Sequence, residues 1–460
     1  GKNMDALLNW IDSANDILWN TILLVMLCGT GIFYTLKLKF IQVRKFKEGL
    51  KIVFGSFSLS GKKRDNGEMT PFQAVATAIA AQVGTGNLTG AATALIGGGP
   101  GAIFWMWMSA FFGMATIYAE AVLAQKYKTV ENGEVTGGPI YYIRQAFKGK
   151  FGKVLAVIFA CLITVALGFM GNMVQSNSIS EAFSSVLDAR NLEVSPIIIG
   201  LLIAVFSLFV FLGGTKRLAS VVEKLVPLMA GIYIVGSLVL IAMHITEVPE
   251  AFRMIIVGAF TPRAIVGGAA GITIREAIRY GVARGLFSNE AGMGSTPHAH
   301  ARAAAKNPHE QGLTAVVSVF IDTFIVLNLT VFSILTTGVL DSGENGIALT
   351  QTAFTTGFGG FGDIFVAICL LFFALSTIIG WHFFGAVNVK YLLGDKAVKV
   401  YSVIVAICIV IGSTLKLDLV WSLSDFFNGL MVIPNALALW ALAGVVNSVR
   451  KQYGEKKKEK

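Results

Sequence analysis

The apolar run from Pro71 to Ile96 contains a stretch that a membrane helix cannot carry intact: Ala80-Ala81-Gln82-Val83-Gly84-Thr85-Gly86-Asn87. Alanine, isoleucine and valine surround two glycines, a threonine and an asparagine at mid-run. In hydrocarbon every backbone N–H and C=O needs a partner. An unwound turn therefore survives only where it is buried in protein or lines a polar cavity. Freed carbonyls at such a break can coordinate a small cation, and freed amides at the start of the next half-helix can hold an anion. The plainer reading is that Gly84 and Gly86 serve close helix packing. Asn87 argues against it, because a buried amide needs partners. A phosphate-cradling loop is excluded, since no strand–turn–helix unit precedes the glycines.

The surroundings of the run fix the class. Of 460 residues, 55% are hydrophobic and 14% are charged, a balance foreign to soluble domains of this size. Many runs reach the roughly 20 apolar residues that cross a bilayer. The chain reads as an all-α polytopic membrane protein. A short interfacial helix over 1–14 comes first, with Trp10. Eleven spans follow, at about 17–36, 71–97, 102–125, 154–178, 196–213, 219–244, 272–296, 312–338, 362–389, 398–415 and 419–446. No cleavable signal peptide is visible. The net charge of +10 is a topology signal. Lys and Arg concentrate in 37–64, 126–153, the Lys216-Arg217 turn and the tail from Arg450 to Lys460. This bias places those segments in the cytoplasm and the N-terminus outside. Contact of the basic tail with lipid head groups is a secondary effect.

Spans 2 and 7 each open a block of five, in opposite directions. Each is interrupted at mid-depth: span 2 at Val83–Asn87, span 7 over Arg284-Gly285-Leu286-Phe287-Ser288-Asn289-Glu290-Ala291-Gly292-Met293-Gly294. This divides the chain into 1–69 (interfacial helix, span 1 and a basic loop), a first repeat 70–246, an external segment with a second inverted repeat 247–446, and a basic tail 447–460. Two broken helices heading inverted blocks point to a secondary transporter with its site at the repeat interface.

Val83-Gly84-Thr85-Gly86-Asn87, Gly98-Gly99-Pro100-Gly101-Ala102, Gly137-Gly138-Pro139 and the long Gly285–Ser295 segment resemble the alanine/glycine:cation symporter family, the sodium:alanine symporters. The resemblance covers nearly all of the chain after span 1. It implies the ten-helix inverted repeat of the amino acid–polyamine–cation superfamily, here with one extra N-terminal helix, and sodium-coupled uptake of alanine or glycine. The Val-Gly-x-Gly-Asn core is also similar to the broken first helix of LeuT-type symporters. By resemblance, Ser376 and Thr377 match a hydroxyl pair that completes a sodium site with the carbonyls of Ala80, Val83 and Phe373. On composition alone the two hydroxyls are more often structural, each bonded to the carbonyl one turn back. A hard cation held by several neutral oxygens, loosely enough to leave, is sensible chemistry.

The substrate is then a small neutral amino acid. Its carboxylate is expected near the amides of Thr85, Gly86 and Asn87. Its ammonium is expected at the carbonyls of Gln82, Phe287 and Ser288, beside Asn289. Phe287 and Trp381 would wall a small side-chain pocket, although core packing is the commoner use of such aromatics. Asn172 and Gln175 are either helix–helix glue or cavity-facing groups. Glu290 and Asp322, ionisable groups within spans, are either direct ion ligands or members of ion pairs, with Arg279 and Arg284 as the candidate partners. The four cysteines read as small core residues, and the five histidines lack metal-ligand spacing. No cofactor, catalytic set, nucleic-acid partner or obligatory protein partner is implied; sodium enters as a transported ion, and the lipid bilayer is the surrounding medium. A proton-coupled carrier of the same fold would use Glu290 or Asp322. A channel would need pore-lining polar residues repeated across subunits, and a membrane enzyme a convergent nucleophile or metal set.

Overall fold

The computed structural model describes residues 1–55, 68–266 and 271–455. The part of the basic loop at 56–67, Gly267-Gly268 and the end of the tail lie outside the described residues. The chain is almost wholly helical: α1 (Lys2–Lys37), α2 (Phe46–Gly55), α3 (Pro71–Gln82), α4 (Ala91–Gly98) and α5 (Gly101–Lys126), then a hairpin of β1 (Thr129–Glu131) and β2 (Glu134–Thr136). There follow α6 (Pro139–Ala146), α7 (Lys150–Asp188), α8 (Pro196–Leu212), α9 (Gly214–Met243), α10 (Val248–Phe260), α11 (Ile274–Asn289) and α12 (Pro297–His300). The last five are α13 (Pro308–Thr336), α14 (Gly346–Phe358), α15 (Gly362–Leu393), α16 (Asp395–Gly412) and α17 (Leu417–Ala441).

The polarity of the fold is inverted relative to a soluble domain. α8 presents Leu201, Leu202, Val205, Phe206 and Phe209 outward, and α16 presents Val400, Val403, Ile404 and Ile407. The interior meanwhile holds Gln82, Asn87, Asn172, Gln175, Ser288, Glu290 and Asp322, all buried. Apolar faces that wide belong against lipid, not water. Among the described residues, six helices or helix runs are long and apolar enough to cross a membrane unaided, or seven if α17 and the bent segment after it form one span. α8 is a shorter apolar helix. The other spans expected from sequence are the interrupted ones and the more polar α16. Interruption is why length and hydropathy do not register α3 with α4.

Two expectations change. Residues 1–14 do not form a separate interfacial helix. Helix α1 runs on through a π turn at Leu18–Ile22. Nothing between Asn15 and Trp19 breaks a helix, since the stretch holds no Gly or Pro. Its polar residues are used instead as anchors: Asn15 Nδ2 donates to the Ser422 carbonyl at 3.0 Å and Trp19 Nε1 to the Asp425 carbonyl at 3.1 Å. The cysteines are free, as expected, but Cys161 is exposed on an apolar face and Cys28 is half-buried, while Cys369 and Cys408 are buried.

The break in span 2 lies where the residue types place it. A capping box starts α3: Thr70 Oγ1 accepts the Gln73 N–H and Gln73 Oε1 accepts the Thr70 N–H, both at 3.1 Å, with Pro71 at the first helical position. The helix stops at Val83, whose backbone is extended (φ −85°, ψ 98°). Helical geometry resumes with a π turn at Gly86–Gly90 that leads into α4. Span 7 differs from expectation. Arg284 to Asn289 remain helical, and the irregular stretch begins at Glu290 (φ +60°), with Gly292 (+90°) and Gly294 (+85°). The left-handed backbone needs the two glycines; the residues from Arg284 to Asn289 impose nothing of the kind.

Candidate substrate and sodium site

The unpaired groups of the span 2 break find side-chain acceptors. Asn87 Oδ1 accepts the Gly84 N–H at 3.0 Å, and Gln175 Oε1 of α7 accepts the Thr85 N–H at 3.1 Å. The Asn87 N–H reaches the Gly84 carbonyl at 3.1 Å. A broken turn in this interior is stable only with such partners, each lost partner costing about 1–3 kcal/mol.

Span 7 answers with the opposite polarity. In a continued helix the N–H of Ala291 would bond the Phe287 carbonyl and that of Gly292 the Ser288 carbonyl. Here Ala291 N–H goes to Asn289 Oδ1 (3.0 Å) and Gly292 N–H to Glu120 Oε1 (2.6 Å). The carbonyls of Phe287 and Ser288 are thereby left without their helical donors. Gln82 Nε2 donates to the Asn289 carbonyl at 2.8 Å and ties the two breaks together. The chain thus brings spare carbonyls on α11 beside the start of the half-helix that follows Thr85; a Cβ on Gly86 would meet Phe287 Cδ1 at 3.0 Å and Ser288 Cβ at 3.1 Å.

Five oxygens converge where α15 crosses the end of α3. Thr377 Oγ1 lies 2.8 Å from the Ala80 carbonyl and 3.3 Å from that of Val83. Ser376 Oγ lies 3.3 Å from the Ala80 carbonyl and 2.8 Å from that of Phe373. Gly380 permits the approach: a Cβ there would sit 3.2–3.4 Å from Ala81. All five residues are buried. The hydroxyls do use carbonyls, but those of α3 as well as their own helix, so the purely local reading of Ser376 and Thr377 fails.

The remaining residues surround these two clusters. Phe287 packs edge-on to Trp381 (centroids 5.4 Å) and tilted against Trp421 (4.5 Å). Trp381 Nε1 donates to Glu290 Oε1 at 2.8 Å. Asp322 accepts from Asn87 Nδ2 (2.9 Å), Ser288 Oγ (2.8 and 3.0 Å) and Thr323 Oγ1 (3.1 Å). Asn289 Nδ2 reaches Thr323 Oγ1 at 3.3 Å. Asn172 bonds back to the Gly168 carbonyl at 3.2 Å, and its Oδ1 has no partner. Gln82 Oε1, Thr85 Oγ1, Gln175 Nε2 and Glu290 Oε2 are likewise buried without partners. Together these open polar atoms give the space between the breaks hydrogen-bonding capacity that a polar ligand could use.

The ion pairs proposed for Glu290 and Asp322 do not form. Arg284 bonds Asp425 at 2.7 Å and Thr93 at 3.1 Å and lies over Trp421, while Arg279 pairs with Asp16 of α1. Both arginines lie N-terminal to Phe287 on α11, pointing away from the carboxylates. Three residues that sequence reasoning passed over belong to the site's frame. Glu120 of α5 holds Gly292 N–H and, at 2.9 Å, Gly294 N–H, with Asn435 Nδ2 at 3.2 Å. Trp421 of α17 packs on Phe287, and Asp425 of the same helix holds Arg284. An ionisable residue within a span was the available signal for Glu120, the same one that marks Glu290 and Asp322.

The sodium:alanine symporter family matches residues 4–460 of the chain. The sodium/alanine symporter AgcS of Methanococcus maripaludis is 41% identical, over 97% of each chain. The probable sodium/glutamine symporter GlnT of Bacillus subtilis is 40% identical over 97% of this chain and 90% of its own. The solved structure of MhsT in complex with L-phenylalanine shares the fold at a TM-score of 0.57 and 14% identity, over 86% of this chain and 91% of the other. With a broken-helix site of this geometry and relatives along its whole length, the chain belongs to the sodium:alanine symporter family.

Proposed function

We propose that the chain carries a small neutral amino acid into the cell together with sodium, by alternating access, with its N-terminus outside and its C-terminus in the cytoplasm. The observation that carries this reading is the five-oxygen cluster of Ala80, Val83, Phe373, Ser376 and Thr377 one turn from the unwound backbone of α3. Sodium there takes neutral oxygens from two different helices. Its occupancy therefore favours the arrangement in which α3 and α15 are clamped. A ligand shifts such an equilibrium by its differential affinity for the two states.

The amino acid lies between the breaks. Its carboxylate takes the amide edge from Thr85 to Asn87, displacing Gln175 Oε1 from the Thr85 N–H and the Gly84 carbonyl from the Asn87 N–H. Its ammonium takes the carbonyls of Phe287 and Ser288 and the open Oε1 of Gln82. Phe287 and Trp381 bound the side chain, which keeps it small. In this topology the Arg284–Asp425 pair, with Trp421 beneath it, seals the external side. Relatives named for alanine and for glutamine share the scaffold, so side-chain choice resides in this wall; one methyl group decides alanine against glycine by about 1–3 kcal/mol.

The test is uptake of labelled alanine into proteoliposomes under an imposed sodium gradient, against equal potassium and against a pH gradient. Saturable uptake that requires sodium supports the reading. Uptake driven by pH alone would keep the fold and move coupling to Glu290 or Asp322. No saturable amino acid uptake under any gradient would overturn it.

A further inference from the structure

Away from this site, a cavity of about 290 Å³ opens among the C-terminal end of α8, the start of α9, the last turns of α15, the start of α16 and the β-hairpin. None of the residues assigned to substrate or sodium lines it. Its volume is at the low end of small-molecule pockets, which run to roughly 300–1,000 Å³. Phe211, Leu218, Phe383 and Val387 make an apolar wall.

The charge within it is ordered by depth. Arg302 is 5% exposed. Its Nη1 donates to Thr215 Oγ1 at 3.2 Å, its guanidinium lies 4.8 Å from the Phe383 ring centre, and its Nε is buried without a partner. The nearest carboxylate oxygen, on Glu134, stands 3.9 Å away on a side chain that is half exposed. Burial pushes the guanidinium down to about 10 against the opposing influence of Glu134 and Tyr141. Lys390 is already paired with Asp395 at 3.2 Å, whereas Lys399 on the rim has no ion pair among the described residues. Glu131 and Glu134, both part-exposed, also line it. A buried arginine this poorly matched is costly unless an anion joins it.

We infer that this cavity is a binding site for a small zwitterionic amphiphile. Its carboxylate or phosphate lies on Arg302 and Lys399, its ammonium faces Glu131 and Glu134, and its alkyl part rests on Phe211, Phe383 and Val387. Planar guanidinium binds carboxylate and phosphate alike. Two sources share the chemistry: a free amino acid with an apolar side chain, and the head group of phosphatidylethanolamine. The inference does not depend on the transport reading.

The purified chain, in micelles free of phosphatidylethanolamine and in potassium buffer so that a sodium-dependent site is silent, is titrated with L-leucine and, separately, with short-chain phosphatidylethanolamine against phosphatidylcholine. Saturable binding of leucine, or of phosphatidylethanolamine over phosphatidylcholine, is expected, and which one binds identifies the source. Arg302→Gln should weaken it at least tenfold. Val387→Trp fills the cavity while retaining the arginine and should do the same while leaving sodium-driven uptake and the melting temperature unchanged. Binding indifferent to both substitutions, or no saturable binding of either ligand, overturns the assignment.

Discussion

Gly84 is the residue on which the two clusters depend most narrowly. A Cβ there would stand 2.2 Å from Thr377 Oγ1 and 3.2 Å from Gln175 Oε1. Gly84→Ala must push aside a hydroxyl of the proposed sodium site and the side chain that caps Thr85. The expected outcome is at least a tenfold rise in half-saturating sodium, equivalent to about 1.4 kcal/mol. Sodium titrations of uptake at fixed alanine check it, and an unchanged sodium curve would show that Thr377 takes no part. Glu120 makes a different test. It accepts two glycine N–H groups, one on each oxygen. Gln retains the shape but has only one acceptor oxygen, so one N–H of the irregular stretch loses its partner at a cost of about 1–3 kcal/mol. Glu120→Gln should lower the melting temperature and reduce uptake, and Glu120→Asp should rescue neither, because the carboxylate withdraws by one methylene. Asn87 could be singled out from sequence because a polar group in an apolar run demands partners, whereas Ser376 and Thr377 stood out only through the resemblance to the sodium:alanine symporters. Glu120 announced itself in the same way and was overlooked beside the more obvious glycine motifs.

At the scale of elements, the irregular stretches decide what the helices can do. The break in span 2 was legible because Val83–Asn87 puts glycine and an amide side by side within alanine and isoleucine. The irregular stretch of span 7, expected over Arg284–Gly294, begins about a turn and a half later, at Glu290, and includes Gly292 and Gly294 as expected. Arg284 and Asn289 look polar and irregular in the sequence, but polarity does not unwind a helix; Gly292 and Gly294 at positive φ do. What Arg284 does is set by a residue 141 positions away, and no local periodicity reports that. Arg284 is 5% exposed and Asp425 13% at their side chains. Removing one partner of a pair so buried typically costs about 3–5 kcal/mol, because the other charge stays behind. Asp425→Asn should therefore destabilise the chain and also open the external side. A cysteine introduced at Ser288 in a cysteine-free background should react with an external thiol reagent faster in the Asp425→Asn protein than in its parent. Equal reactivity would mean that the pair does not seal that side.

For the whole molecule, the all-α membrane class was readable from hydrophobic content, and the LeuT-like fold from two interrupted spans. The packing of α1 was not. Asp12 falls in the expected interfacial helix, Asn15 and Asp16 at its junction with span 1 and Trp19 in the first turn of that span, yet Ser422, the carbonyls of Ser422 and Asp425, and Arg279 are their partners. Helix α1 thus braces the N-terminal parts of α11 and α17. Topology carries its own prediction. With Cys28, Cys161, Cys369 and Cys408 replaced, a single cysteine at Asn3 should be labelled by an impermeant maleimide on intact cells, and one at Lys451 only after permeabilisation. The reverse pattern would invert the assignment of every loop.

The central claim is that sodium couples to transport by joining α3 to α15. Thr377 supplies one oxygen to that link, 2.8 Å from the Ala80 carbonyl. The most direct measurement is the sodium dependence of alanine uptake by Thr377→Ala and Thr377→Ser proteoliposomes, beside equal amounts of folded protein verified by size exclusion. Ala is expected to raise the half-saturating sodium at least tenfold with folded yield intact, and Ser, which keeps the hydroxyl, to stay close to the parent. An unchanged sodium requirement in well-folded Thr377→Ala protein would contradict it.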